Sequence, residues 1–266
     1  MRTLGRVLII AGSDSGGGAG VQADIKTVTA LGGYAATAIT AVTVQNTLGV
    51  TAVHPIPLEV VEAQARAVLS DIGADVIKTG MLGDAAIVEM VARLLDETQV
   101  PAVIDPVMVA KGGASLLAQQ AVAAVRERLV PLAALLTPNA PEAEALTGLS
   151  VETTDDLRRA GDALLAAGAR AVLMKGGHVA GERVTDILMT AEGETAFEGE
   201  RIDTRHTHGT GCTLASACAT GLAQGLPLAA AVARAWDYVH EAMLRAPGLG
   251  AGHGPLDHGW PLRGRA

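Results

Sequence analysis

Residues 205–219, RHTHGTGCTLASACA, set a cysteine between a glycine-flanked threonine and a run of small residues with helical periodicity. The glycines leave the backbone N–H groups of Gly209, Thr210, Gly211 and Cys212 free to converge on one spot. The first amides of a helix have no acceptor inside it. Together with the helix dipole they form an anion site. A thiol at that mouth is expected to have its pKa lowered. Cys212 therefore reads either as a base or nucleophile beside a bound phosphate, or as a small buried hydrophobe. Cys218 lies deeper among small residues and reads as the latter. On one helix the two cysteines would have Cα atoms about 9 Å apart, too far for a disulfide. His206, His208 and Cys212 are zinc-ligand types, but HxHxxxC is not a zinc spacing and no fourth ligand is near. The histidines are read as shaping the loop. His253 and His258, in the tail GLGAGHGPLDHGW, receive no role from the sequence.

Other chemistry-bearing residues stand where short apolar runs end. AGSDSGGGAGVQADIKT follows the first such run, and its glycine density points to a ligand-facing loop. It has neither GxxxxGK[ST] nor GxGxxG, so the ligand stays open. In AVTVQNTLGV, Gln45 and Asn46 interrupt an apolar stretch. They read either as turn amides bonded to backbone or as the complement of a heteroaromatic ring carrying an amine beside a ring nitrogen. Asp105, followed by Pro106, ends AVID. Asn139 and Glu142 open a helix, where they either cap it or hold a ligand. Lys175 precedes two glycines, which suits an anionic ligand or a solvated turn.

These positions need elements to carry them. β-branched runs at Val7–Ala11, Ala36–Thr40, Val76–Thr79, Ala102–Asp105, Ala133–Thr137 and Ala171–Lys175 are expected strands. Amphipathic runs at Val21–Leu31, Leu58–Ser70, Asp84–Asp96, Ala114–Arg128, Thr154–Ala167, Thr210–Gln224 and Leu228–Arg245 are expected helices. The alternation implies right-handed βαβ units and a mostly parallel sheet covered on both faces. VTDILMT and TAFEGERI, joined by AEGE, read as a hairpin. In such sheets ligands sit beyond the C-terminal ends of the strands.

The chain has 266 residues, 49% of them apolar but only 2% aromatic, which is ample for one α/β domain over 1–266 with an Ala/Val/Leu/Ile core. Its net charge of −8 argues against a nucleic-acid partner. Its apolar runs are strand-sized, too short for a membrane span or a signal peptide. Two free thiols suit a reducing compartment, and the expected location is the cytoplasm.

AGSDSGGGAGVQADIKT, AVTVQNTLGV, KTGML, DPVMVAKGG, LTPNAPEAEALTG, LMKGGH and THGTGCTLASA occur in this order. Together they resemble the hydroxymethylpyrimidine/phosphomethylpyrimidine kinase family of the ribokinase-like superfamily, from about residue 7 to the tail. The resemblance implies an α/β three-layer sandwich with a mostly parallel central sheet, helices on both faces and a small β flap, commonly as a homodimer. It implies transfer of the ATP γ-phosphoryl group to 4-amino-5-hydroxymethyl-2-methylpyrimidine and then to its monophosphate, for thiamine synthesis. Phosphorylation of pyridoxal or pyridoxine is the alternative within the family. A non-catalytic pyrimidine or nucleotide binder would need neither Cys212 nor the amides around it. The resemblance assigns Gln45, Gly12, Asp24, Met81 and Val107 to the pyrimidine. It assigns Asn139, Lys175, Gly176, Gly177 and Gly211 to the nucleotide, and Asp105 and Glu142 to Mg²⁺. Gly209, Thr210 and Gly211 form the anion hole, with Cys212 in the place of the catalytic base. Val44 stands where alanine is frequent, which bears on ring packing.

Overall fold

The first apolar run continues past its expected end, into the glycine-rich loop. In the computed structural model, which describes residues 4–108 and 119–263, strand β1 spans Arg6–Asp14. Helix α1 (Gly20–Ala30) leads to β2 (Tyr34–Asn46), which turns back as β3 (Gly49–Pro55). Then follow α2 (Leu58–Asp71), β4 (Val76–Thr79), α3 (Ala85–Thr98) and β5 (Ala102–Ile104). Helix α4 (Gln119–Ala124) passes through a π-turn at Val125–Leu129 before β6 (Ala133–Leu136), α5 (Ala140–Thr147) and α6 (Thr154–Ala166). The chain ends with β7 (Ala171–Met174), β8 (Arg183–Thr190), β9 (Gly193–Glu200), α7 (Thr210–Ala223) and α8 (Leu228–Leu244).

The strands form one nine-stranded sheet in the order β3-β2-β1-β4-β5-β6-β7-β8-β9. Strands β2 to β7 of that order pair in parallel, and β3, β8 and β9 are antiparallel additions at the two edges. All six expected strands are present. The β8–β9 hairpin forms as expected, with a tighter turn in which Thr190 pairs with Gly193. Two features go beyond the sequence reading. β2 runs on to Asn46, and β3 exists at all. β3 is exposed along most of its length, so no period of burial marks it in the sequence. Of the expected helix Ala114–Arg128, residues 114–118 lie outside the described residues.

Period-two alternation divides the core. Leu8 and Ile10 of β1 face the side packed by α2 to α6, whereas Val7, Ile9 and Ala11 face the side packed by α1, α7 and α8. Each fully buried Leu or Ile contributes about 1.5–3 kcal/mol relative to exposure, and the sheet is thereby held rigidly between two helical layers. Cys218 lies in the second core with no exposure, as its sequence setting implied, and burial pushes its thiol up to about 12. The parallel topology leaves Asp14, Gly80, Asp105, Asn139 and Lys175, which end or follow β1 and β4 to β7, on one edge of the sheet.

Candidate active site between two cavities

Two cavities meet at that edge, of about 430 Å³ and about 300 Å³. Asn139, Lys175, Thr210 and Gly211 line both, so the mouth of α7 is their common wall. Gly209 caps the helix in the left-handed region at φ 84°, and a Cβ there would collide with the carbonyl oxygen of Gly18. The glycine loop after β1 and the mouth of α7 therefore pack backbone on backbone. The first internal bond of α7 runs from Thr213 N–H to Gly209 O at 2.9 Å. The Gly211 and Cys212 amides precede it and have no acceptor within the helix. The expected set of four amides is narrower, because Thr210 N–H turns back to Thr207 O at 3.4 Å.

The thiol departs from expectation. Cys212 is half-buried on the wall of the larger cavity. Desolvation pushes its pKa up to about 12, against the pull of the Lys78 cation and a hydrogen bond from Gly20 N–H, with Asp24 and Asp105 adding to the rise. Burial and carboxylates outweigh the helix dipole, so the thiol is protonated at neutral pH.

Beneath it, Lys78 of β4 and Asp24 of α1 form an ion pair with both side chains fully buried, Nζ lying 2.9 Å from each carboxylate oxygen. Ser216 Oγ donates a third hydrogen bond to the Asp24 carboxylate at 2.7 Å. Desolvation opposes the charge on Lys78, but Asp24, then Cys212 and Asp105, carry its pKa above the usual lysine value. Asp24 is thus not a lining residue of the larger cavity; it lies behind the wall as the partner of Lys78. Asp14, unlike Asp24, does line that cavity. Its carboxylate accepts from the amides of Gly16 (2.7 Å), Gly18 (3.0 Å) and Ala19 (2.8 Å), and from His208 Nε2 (2.9 Å). Burial opposes its ionisation, yet the bonds from His208 and the amides prevail and hold its pKa below the usual value. The glycine loop does face the cavity, through Gly12, Ala19 and Gly20. Three of its amides are spent on Asp14, which leaves the loop poorly suited as a phosphate cradle.

Gly12, Gln45, Met81 and Val107, which the resemblance assigned to the pyrimidine, line the larger cavity. Asn46 Oδ1 accepts Leu48 N–H at 2.9 Å and is a turn amide, while Gln45 turns its side chain to the cavity. Val44 is 60% exposed and belongs to neither cavity wall.

Lys175 is not a solvated turn residue. Its Nζ lies 3.1 Å from Asp105 and 3.5 Å from Glu142. Desolvation opposes its charge, and those two carboxylates raise its pKa well above the usual value. Asn139 and Glu142 close a reciprocal cap on α5, each side chain accepting the other's amide at 2.9 and 2.8 Å. They cap the helix, and both also line the larger cavity. Burial, then Asp105, push Glu142 up to about 7 against the pull of Lys175. Gly177 lines the smaller cavity. Gly176 lines neither: it donates to Asp186 at 2.8 Å, and a Cβ on it would collide with Thr185 O.

The rest of the smaller cavity was not legible in the sequence. Val184 and Asp186 of β8, Arg201 after β9, and Trp236, His240 and Met243 of α8 meet there. Trp236 and His240 stack with centroids 5.4 Å apart. Burial pushes Asp186 up to about 6. Only the aromatic types of Trp236 and His240, four apart on one helix, could have hinted at a ring-binding face.

The profile of the phosphomethylpyrimidine kinase family matches residues 14–257. The chain belongs to that family. A hydroxymethylpyrimidine/phosphomethylpyrimidine kinase of Streptomyces coelicolor is 53% identical over 256 residues, covering 96% of this chain and 95% of that one. The thiamine biosynthesis bifunctional protein ThiED of Geobacter sulfurreducens is 52% identical over 96% of this chain and 52% of its own longer one. Among solved structures, the ADP complex of a Bacillus subtilis pyridoxal kinase superposes with a TM-score of 0.91 at 38% identity, covering 99% of this chain and 100% of that one. The three-layer, ribokinase-like architecture that the resemblance implied is the one observed.

Proposed function

We propose that this family member is an ATP-dependent kinase that phosphorylates 4-amino-5-hydroxymethyl-2-methylpyrimidine and then its monophosphate, for thiamine biosynthesis. The observation that carries this reading is the mouth of α7 standing as the shared wall of two cavities. A nucleotide in the smaller cavity and an alcohol in the larger would present the γ-phosphoryl group and the hydroxyl to the same amides. Phosphoryl transfer requires this positioning and the stabilisation of charge on the equatorial oxygens. The oxygen of the alcohol bonds to phosphorus, the bond to ADP breaks, and the hydroxyl proton leaves.

In this reading the Gly211 and Cys212 amides, with Gly209 and Thr210 shaping the turn, hold the γ-phosphoryl group, and Lys175 supplies positive charge. Cys212 takes the hydroxyl proton; because its thiol is protonated at neutral pH, the small thiolate fraction does so. Gln45, Gly12, Met81 and Val107 receive the ring; Asn139 and Gly177 belong to the nucleotide cavity. Among the described residues no cluster of three or more acidic, histidine or cysteine side chains could hold a metal by itself. Asp105 and Glu142 nonetheless fit Mg²⁺, which takes one or two carboxylates and completes its shell with phosphate and water. Burial, and after it the charge of Asp105, raise Glu142, and a dication beside the pair would relieve that cost. When bound, Mg²⁺ neutralises the nucleotide phosphates.

We read the chain as one kinase domain, since a single sheet carries both cavities. We place it in the cytoplasm, where Cys212 and Cys218 stay reduced; among the described residues no helix is long and apolar enough to cross a membrane. We also read it as a homodimer. Val42 and Val44 on one face of the β2–β3 hairpin, with Leu48 at its turn, are 44–71% exposed and offer an apolar surface suited to a second copy. Sedimentation equilibrium should give twice the chain mass; a monomer at micromolar concentration would contradict it.

Pyridoxal phosphorylation is the second reading, favoured by the likeness to the Bacillus pyridoxal kinase. ADP release with the pyrimidine alcohol, its monophosphate and pyridoxal in parallel decides between them. The proposal expects turnover of both pyrimidines at higher kcat/KM than pyridoxal. Turnover of pyridoxal alone would overturn it.

A further inference from the structure

The tail whose histidines had no role in the sequence packs against the β2–β3 turn and against His208. His253 N–H donates to Thr47 O at 2.8 Å, tying the tail to the β2–β3 turn, and His208 N–H donates to Gly254 O at 3.2 Å. His208 Nε2 then stands 2.9 Å from Asp14 Oδ2 and 3.3 Å from the terminal amide of Gln45. At its other end, the Gln45 amide lies 3.1 Å from Thr43 Oγ1, which is also 2.9 Å from Ser13 O.

Counting protons fixes this network. Asp14 is held ionised and accepts only, so His208 Nε2 carries a hydrogen. A protonated Nε2 has no lone pair for a Gln45 N–H, so the amide, placed with its nitrogen toward His208 and its oxygen toward Thr43, is assigned the reverse order, its oxygen sharing the one Nε2 hydrogen with Asp14. A nitrogen there would set donor against donor. Thr43 has one hydroxyl proton, which Ser13 O takes. Its lone pair is free to accept from the Gln45 nitrogen at the opposite end. Amide oxygen and nitrogen are told apart by their partners, and these partners choose one orientation.

We propose that His208, with Thr43, fixes the orientation of the Gln45 carboxamide and so sets the donor–acceptor order that the larger cavity offers to a substrate ring. One lone pair of Oε1 and one N–H of Nε2 stay available to the cavity. They match a ring edge with an exocyclic amine beside an unprotonated ring nitrogen. The 4-oxo analogue of the same alcohol presents the reverse order, a carbonyl beside a ring N–H. His208 is thus a positioning residue that acts through Gln45. The inference rests on the kinase reading above.

Its test compares kcat/KM for 4-amino-5-hydroxymethyl-2-methylpyrimidine and for the 4-oxo analogue. Wild type should prefer the amine by at least about tenfold to a hundredfold, the cost of a mispaired buried amide. In His208→Phe the amide is free to reverse, and the preference should fall to within about threefold while the KM for ATP changes little. Thr43→Val, isosteric in its strand, releases the other end of the amide and should shift the ratio in the same direction; it decides the matter if His208→Phe does not fold. His208→Gln, which restores an N–H donor, should recover part of the preference. Wild-type turnover with an undiminished preference in both His208→Phe and Thr43→Val overturns this inference alone. Wild-type turnover of neither ring overturns the kinase reading and this inference with it.

Discussion

Cys212 illustrates how a local rule yields to its surroundings. A helix mouth favours thiolate, but this thiol loses more by desolvation than it gains from dipole and cation, and Asp24 and Asp105 stand nearby. Its reactivity should follow the thiolate fraction, which grows tenfold per pH unit below the pKa. Alkylation of Cys212 by iodoacetamide is therefore expected to accelerate continuously from pH 7 to beyond pH 9. A plateau at neutral pH would contradict the buried-thiol picture. In the proposed mechanism Cys212 accepts the hydroxyl proton, so it should also be needed for turnover. Cys212→Ala is expected to lower kcat by about a hundredfold or more, the usual worth of a positioned base, with KM for the pyrimidine little changed. The thiol's type and place were readable in the sequence; its ionisation was not, because the groups that set it lie 188 (Asp24) and 107 (Asp105) residues away in the chain. Asp24 was misplaced for the same reason. A carboxylate one turn into a helix beside a glycine loop gives no sign that Lys78 waits behind it.

Among the elements, α5 has two duties. Its first turn caps the helix through Asn139 and Glu142, and the same turn lines the larger cavity. Burial raises Glu142 from an ordinary value near 4.5 to about 7, so the folded chain holds that proton more tightly than the unfolded one. The stabilisation is fully present below pH 4.5 and is lost as pH rises through about 7. Chemical denaturation of the ligand-free protein should show this decline, and Glu142→Gln should flatten it across that window. An unchanged slope would mean that Glu142 does not carry the buried proton. His258 acts on the acid side. Burial lowers it to about 4, so the folded chain loses stability as pH falls from 6.5 toward that value. The two groups must be separated by the variant, not by the total curve. Most elements were legible because strand runs and amphipathic runs alternate cleanly. β3 was not, because an exposed edge strand shows no burial period. Helix α5 was legible only from its cap, since its eight residues are too few to display a face.

For the whole molecule, topology does what no short motif could. The parallel strands deliver Asp14, Asp105, Asn139 and Lys175 to one edge, and α7 returns from far along the chain to set its amides among them. The larger cavity was largely readable in advance, because glycines, Gln45 and the carboxylates stand at strand ends. The smaller one was not, because β8, the segment after β9 and α8 each contribute ordinary residues that acquire meaning only when they meet. The central claim is that both cavities serve one phosphoryl group held at the α7 mouth. A crystal structure of the protein with a non-hydrolysable ATP analogue and the pyrimidine alcohol tests it most directly. The account predicts γ-phosphate oxygens within about 3 Å of the Gly211 and Cys212 amides, with the base beside Trp236 and the alcohol beside Gln45. A γ-phosphate lodged away from those amides, or both ligands sharing one cavity, would contradict it.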